Sequence, residues 1–420
     1  MAKNPCFADI NVLPNELLLN IFEHLYEPDG ILHIPASQVC RRFRSLIVGT
    51  PVFWTHVTNT GPLAWTQMYL DRSASAPINI IIADDNCWES YRGESWDPCK
   101  PCRCLDFVEA VMKHAHRWHS FFCDHSRFHL DEDDEDTHRI AQRQRKIFDR
   151  SRGLIMPLLH NLSIYHNGEN PEDESVEFSA YFANVWEMPN LRCLETDTSI
   201  RFLRLSSDLD SVSLTLATSR INPRPFALGH IFRILESPAI SNITDLRLDT
   251  TKFVCDEQAI GLRNHPVEFP GLEMFAFSVG ARRRSGLDCV DFIVGRLNMP
   301  KVTMISAKFN VQRGWEALDA FLRWLEMENH QRLRSLYLTI AWSREVAHNI
   351  GTPDILGACL LSDFLLCIAK PWFAIRARER GLQVYYRFAL VEYDSGEYDY
   401  GEYRSVDWEQ VPMQDHQSQQ

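Results

Sequence analysis

Apolar residues in the segment LPNELLLNIFEHL recur at steps of three and four: Leu17, Leu18, Ile21, Phe22 and Leu25, with Asn15, Glu16, Asn20 and Glu23 mostly on other faces. That spacing predicts an amphipathic helix. Pro14 suits its first turn, where a fixed φ helps and a missing N–H costs nothing. Glu27-Pro28-Asp29-Gly30 predicts a turn, with Asp29 capping a short helix through Ile31, Leu32 and Ile34 that Pro35 ends. SQVCRRFRSLIV then places Val39, Cys40, Phe43, Leu46 and Ile47 on one face and Arg41, Arg42 and Arg44 largely on the other, predicting a third helix. Three such short helices bury too little surface to be stable alone. The apolar face left over is therefore an interface for a partner or for the rest of this chain.

After Trp54 the pattern changes to short alternating runs. Strands are predicted at 78–82, 161–164, 191–195, 211–216, 245–248, 273–277, 303–307 and 334–340. Several follow a turn or proline and read Leu-x-x-Leu-x-Leu or a close variant, as in MPLLHNLSI, MPNLRCLET, FPGLEMFAF and MPKVTMISA. Their key apolar positions Leu162, Leu194, Leu246, Phe275, Ile305 and Leu336 are separated by 32, 52, 29, 30 and 31 residues, and SVSLTL around Leu214 splits the long gap. Helical stretches at 225–235, 287–297, 314–326 and 355–369 fall between strands. A strand and a helix per unit of about thirty residues predicts a leucine-rich-repeat-like α/β solenoid, in which neighbours bury a core that no unit buries alone. The alternative is an ordinary α/β domain with a mostly parallel sheet.

Composition narrows the chemistry. The 420 residues exceed one hydrophobic core and are 45% apolar and 24% charged, as in a folded protein. A net charge of −13 opposes nucleic acid and anionic lipid as main partners. Neither a signal peptide nor a membrane span is expected, and the twelve scattered cysteines then read as reduced thiols of a cytoplasmic or nuclear protein. Cys99, Cys102 and Cys104, with histidines downstream, supply zinc-ligand types in a spacing that fits no closed four-ligand site, so a polar loop is favoured. The acidic run 131–136 reads as a solvated loop rather than a site for basic substrates, and Arg282–Arg284 as a solvated turn rather than a phosphate site. Tyr385, Tyr386 and Phe388 form a last predicted strand, followed from Tyr393 by an acidic, tyrosine-rich and partly disordered tail. No phosphate loop, dinucleotide fingerprint, nucleophile elbow or His-Glu-x-x-His occurs, which predicts no catalysis, no metal and no cofactor.

LPNELLLNIFEHL, VCRRFRSLI and the closing PVFW, in that order, resemble the F-box, and with WTHV and YLDRSASAPINI the arrangement resembles F-box proteins of fungi. The link from Leu25 to Val39 is longer than is typical, and Phe43 stands where the family often has Trp. The resemblance implies a fold class of α/β: an N-terminal three-helix F-box module followed by a leucine-rich-repeat-like α/β solenoid. It divides the chain into an F-box at 9–57, a linker with irregular first repeats at 58–152, a substrate-binding region at 153–392 and a tail at 393–420. It implies docking on a Skp-type adaptor, and through it cullin, by Leu13, Pro14, Glu16, Leu17, Ile21, Phe22, Leu25, Val39, Cys40, Phe43, Leu46 and Trp54. The function implied is the substrate-recognition subunit of a Skp-cullin-F-box ubiquitin ligase that bridges the adaptor to an unidentified protein client. The alternative is a leucine-rich-repeat scaffold that supports no ubiquitination.

Overall fold

A computed structural model describes residues 13–24, 33–83, 103–124, 151–165, 186–197, 209–217, 235–252, 266–280, 290, 296–310, 316–327, 332–343, 381–391, 404–405 and 409–410. The chain divides into two compact units, residues 1–165 with 185–190, and residues 166–184 with 191–420.

The first unit opens with α1 (Asn15–His24), α2 (His33–Val39), α3 (Arg41–Gly49) and a 3₁₀ turn at Pro51–Trp54. Then come β1 (His56–Thr58), α4 (Leu63–Arg72), β2 (Ile78–Ala83), α5 (Arg103–Met112), β3 (Trp118–Asp124) and β4 (Asn161–Tyr165). The four strands pair in parallel, each beside the one before it in the chain. Parallel neighbours need crossovers, and α4 and α5 supply two of them. One face of this sheet is buried by Ile78, Ile80 and Ile82, then Phe121 and Cys123, then Leu162 and Ile164. On the other face a polar chain crosses three strands, Ser120 Oγ donating to Asn79 Oδ1 at 2.8 Å while Asn79 Nδ2 lies 3.1 Å from His56 Nε2. Burial pushes the His56 imidazole below its usual pKa. Arg117 is 6% exposed and donates to the Ala76 carbonyl at 2.9 and 3.1 Å and to Ser73 Oγ at 2.6 Å. It thereby ties the end of α4 to the start of β3.

The second unit contains β5 (Cys193–Asp197), β6 (Ser211–Ala217), β7 (Asp245–Lys252), β8 (Val267–Glu268), β9 (Met274–Gly280), β10 (Leu297–Asn298), β11 (Met304–Asn310), α6 (Glu316–Met327), β12 (Ser335–Ser343) and β13 (Gln383–Val391). β5, β6, β7, β9, β11, β12 and β13 pair in parallel in that order. Two short strands, β14 (Arg404–Ser405) and β15 (Glu409–Gln410), pair antiparallel with β13, and β8 pairs with β10 separately. The joint at the start of each strand repeats. The carbonyl of Arg192 accepts from the N–H groups of Asp210 and Ser211, that of Asp210 from Thr244 and Asp245, that of Thr244 from Glu273 and Met274, that of Glu273 from Thr303 and Met304, and that of Thr303 from Arg334 and Ser335. Before β9 and β11 a Pro-containing turn closes from Leu272 N–H to the Phe269 carbonyl and from Val302 N–H to the Met299 carbonyl, each at 3.3 Å. Pro270 and Pro300 pre-set φ at the second turn position, and the four flanking side chains are buried.

One face of this sheet is closed. Leu194, Val212, Leu246, Phe275, Ile305, Leu336 and Val384 occupy one buried row and Leu214, Leu248, Phe277, Ala307 and Leu338 the next. α6 covers part of it, with Phe321 against Phe277 at 4.9 Å and Phe309 at 5.6 Å between ring centroids. The opposite face is half-buried and largely polar.

The elements differ from expectation in several places. Pro35 does not end the second helix but sits in the first turn of α2, where its missing N–H breaks no helical bond. Val39 and Cys40 do not extend the third helix: Cys40 is the N-cap of α3, its Sγ accepting from Phe43 N–H at 3.4 Å. The predicted strands form with starts shifted by up to two residues, and the helix expected at 314–326 is α6. Leu297 lies in a strand rather than a helix. The helices expected at 225–235, 287–297 and 355–369 otherwise lie almost wholly outside the described residues, as do the acidic run, Arg282–Arg284, Cys99, Cys102 and nearly all of the tail. No helix of the described residues is long and apolar enough to cross a membrane, and none of their His, Cys, Asp and Glu form a group of three able to hold a metal.

Candidate partner interface

Helices α1 to α3 and the turn after them form a small core. Leu18, Phe22, Phe43, Ile47, Phe53 and Trp54 are all at most 6% exposed. Phe22 meets Phe43 edge-on at 5.0 Å and Phe53 at 6.3 Å, geometries that aromatic pairs favour. Trp54 donates its Nε1–H to the Ile47 carbonyl at 2.9 Å, so its polar atom enters the core with a partner. Its ring meets Tyr69 of α4 edge-on at 5.2 Å, and the Arg72 guanidinium lies 4.3 Å from the ring centroid. Arg42 donates to Asn15 Oδ1 at 2.8 Å and to the Leu13 carbonyl, fastening α3 to the start of α1.

With the core filled by those rings, large aliphatic side chains remain outside it. Leu17 and Ile21, one turn apart on α1, are 48% and 40% exposed, and Val39 at the end of α2 is 69% exposed. Such groups bind by burying apolar area, at about 25 cal/mol per Å², and bring no acid, base or nucleophile with them.

Residues 10–60 match the F-box-like family model. They form an F-box-like domain. F-box domains bind a Skp-type adaptor within Skp-cullin-F-box complexes, and F-box proteins are generally non-catalytic. No curated protein matches the chain.

Burial sorts the twelve F-box residues that the motif marks. Phe22, Phe43 and Trp54 lie inside the F-box-like domain. Leu17, Ile21, Val39, Pro14 and Glu16 are exposed, Leu13, Cys40 and Leu46 are half-buried, and Leu25 lies outside the described residues. The motif alone does not make this division, because both sets share the helical period. The twelve positions leave out Leu18 and Phe53, which stand in the same motifs and are fully buried, and the tie made by Arg42, which the periodicity puts on a solvent face. The family match stops short of Tyr69 and Arg72, yet both pack on Trp54, so α4 completes the support of the domain.

Proposed function

We propose that this chain is the substrate-recognition subunit of a Skp-cullin-F-box ubiquitin ligase. The observation that carries the proposal is the F-box-like match at 10–60 on a helical module with a separately filled core and Leu17, Ile21 and Val39 left outside. In this reading the F-box spans 9–57 and contacts the Skp-type adaptor with Leu13, Pro14, Glu16, Leu17, Ile21, Leu25, Val39, Cys40 and Leu46, while Phe22, Phe43 and Trp54 hold those contacts in place. Cullin is reached through the adaptor. Residues 58–152 lead into a fungal-type, leucine-rich-repeat-like solenoid at 153–392 that binds the client, with 393–420 as a tail. The repeating strand joints and the continuous buried rows across the parallel strands support that part. The complex works in the cytoplasm or nucleus, and the chain has no catalytic step of its own. It holds a client lysine near the transferred ubiquitin, which raises effective concentration.

The test is co-purification of the full chain with a Skp adaptor and cullin, beside a variant carrying Leu13→Ala, Pro14→Ala and Ile21→Asp. Capture of both partners by the parent chain, lost in a variant with an unchanged melting curve, is the expected result. A folded parent chain that captures no adaptor overturns the proposal.

A further inference from the structure

A buried cation clasps the end of α4. Arg117 closes the 3₁₀ turn Ala115–Arg117 just before β3 and is 6% exposed. Its Nε and Nη2 donate to the Ala76 carbonyl, Nη2 donates also to Ser73 Oγ, and Nη1 lies 3.4 Å from His114 Nδ1. Among the described residues no carboxylate pairs with it. A guanidinium has donors and no acceptor, so the bond to His114 needs a bare Nδ1, which only the neutral imidazole provides.

The clasped segment leads to the F-box-like domain. Ser73 caps the C-terminal end of α4, its N–H bonded to the Tyr69 carbonyl at 2.8 Å and its Oγ donating to the Leu70 carbonyl at 3.0 Å. Ala74, between the two clasped residues, has a φ of 51°, in the left-handed region that is costly for a residue with a Cβ. One turn back, Tyr69 and Arg72 pack on Trp54, which fills the core behind Leu17 and Ile21.

The charges that act on His114 are Arg117, His116 and Lys113 on its own segment and Asp71 on α4. Burial first, then Arg117, with His116 and Lys113 behind, hold the imidazole below its usual pKa, and Asp71 opposes them. A proton on His114 removes the acceptor of Nη1, sets a second cation beside a buried guanidinium and favours turning the ring toward Asp71.

We propose that acid weakens adaptor binding through this clasp: a proton on His114 loosens Arg117, frees the end of α4 and weakens the support that Tyr69 and Arg72 give Trp54. The inference rests on the receptor reading and adds a regulatory device to it. The clasped imidazole holds a proton less tightly than a free one, so the clasp is complete above about pH 6.5 and is lost as pH falls below it.

The test measures the affinity of the full chain for a purified Skp-type adaptor by calorimetry at pH 7.5 and 5.5, with circular dichroism to show that the chain is folded at both. Between the two pH values the parent chain should lose about fivefold more affinity than His114→Gln, whose amide oxygen accepts from Nη1 throughout. The adaptor's own titration is common to all chains and cancels in the comparison. His116→Gln, on the same turn and outside the clasp, should keep the parent's loss. Arg117→Lys keeps the charge without the fork, and should lower affinity at pH 7.5 and flatten the profile. If Arg117→Lys does not fold, the comparison of His114→Gln with His116→Gln decides alone. Superimposed profiles of the parent chain and His114→Gln, or an equal flattening with His116→Gln, overturn the proposal and leave the receptor reading standing. A folded parent chain that captures no adaptor at pH 7.5 overturns that reading and the proposal with it, so the two failures are distinguishable.

Discussion

At Trp54 one indole performs three tasks: it fills the helical core, donates to the Ile47 carbonyl at 2.9 Å and packs on Tyr69 and Arg72. Trp54→Phe keeps most of the ring and removes the indole donor, leaving the Ile47 carbonyl only the longer bond from Thr50 N–H at 3.4 Å. The expected loss is about 1–3 kcal/mol, seen as a lower denaturation midpoint, with adaptor capture retained under conditions where the chain stays folded. Ile21→Asp should do the reverse, changing stability by no more than about 0.5 kcal/mol while abolishing adaptor capture. A second residue-scale effect concerns acid. His56 is held below its usual pKa first of all by burial, so between the folded and unfolded values the unfolded chain binds more protons. The neutral imidazole therefore contributes stability that is complete above about pH 6.5 and is lost as pH falls below it. Melting curves from pH 7.5 to 5.5 should show a steeper decline for the parent chain than for His56→Gln, which offers an uncharged acceptor to Asn79 at every pH. Parallel curves would remove His56 from the account.

At the scale of the element, the sequence was legible where burial imposes a period. Strands of the second unit have one closed face, so Phe275, Phe277 and Val279 alternate with half-buried Ala276 and Ser278 and announce themselves. α1 and α6 were visible for the same reason at helical period. Pro35 misled because a proline in a first turn and a proline after a last turn look alike without the flanking backbone. Cys40 was placed inside α3 because a thiol is not among the usual capping side chains, although here its Sγ accepts at the helix start. α4, β1 and β3 were not expected. α4 leaves Leu63 and Trp65 44% and 49% exposed, which blurs its apolar stripe, and β1 is three residues long. The candidate interface was legible as a motif but not as inside and outside, since Ile21 and Phe22 differ by one position and only packing tells them apart. The same contrast gives a prediction within β12. Leu336→Asp puts a carboxylate into the closed face and should cost more than about 4 kcal/mol. Tyr337→Ser, one residue on, loses a ring stacked on Tyr385 and should cost about 1 kcal/mol. Urea titrations of both variants check the assignment of the two faces, and equal costs would contradict it.

For the whole molecule, the consequence lies in how the two proposed activities divide. The F-box-like residues 10–60 belong to the first compact unit, and the parallel strands β5 to β13, which the proposal gives to the client, belong to the second. A subunit that delivers a client needs both attachments at once, but delivery by proximity requires no change of shape when either partner arrives. If the units are independent, each variant should act on one of them alone. Ile21→Asp should abolish adaptor binding measured by calorimetry and leave the urea midpoint of the second unit unchanged, while Tyr337→Ser should lower that midpoint and leave adaptor affinity within about twofold. Urea titrations with and without saturating adaptor complete the cycle. Linkage requires that any effect of adaptor on the second unit be matched by an effect of that unit on adaptor affinity, so a tenfold or larger loss of affinity in Tyr337→Ser would reveal a coupling of about 1.4 kcal/mol. Client binding would then be conditional on assembly, and the chain would act as a switch rather than a tether. The expected result is no coupling, because the two units are held by separate cores: Phe22, Phe43 and Trp54 in one unit, and Phe275, Ile305 and Leu336 in the other.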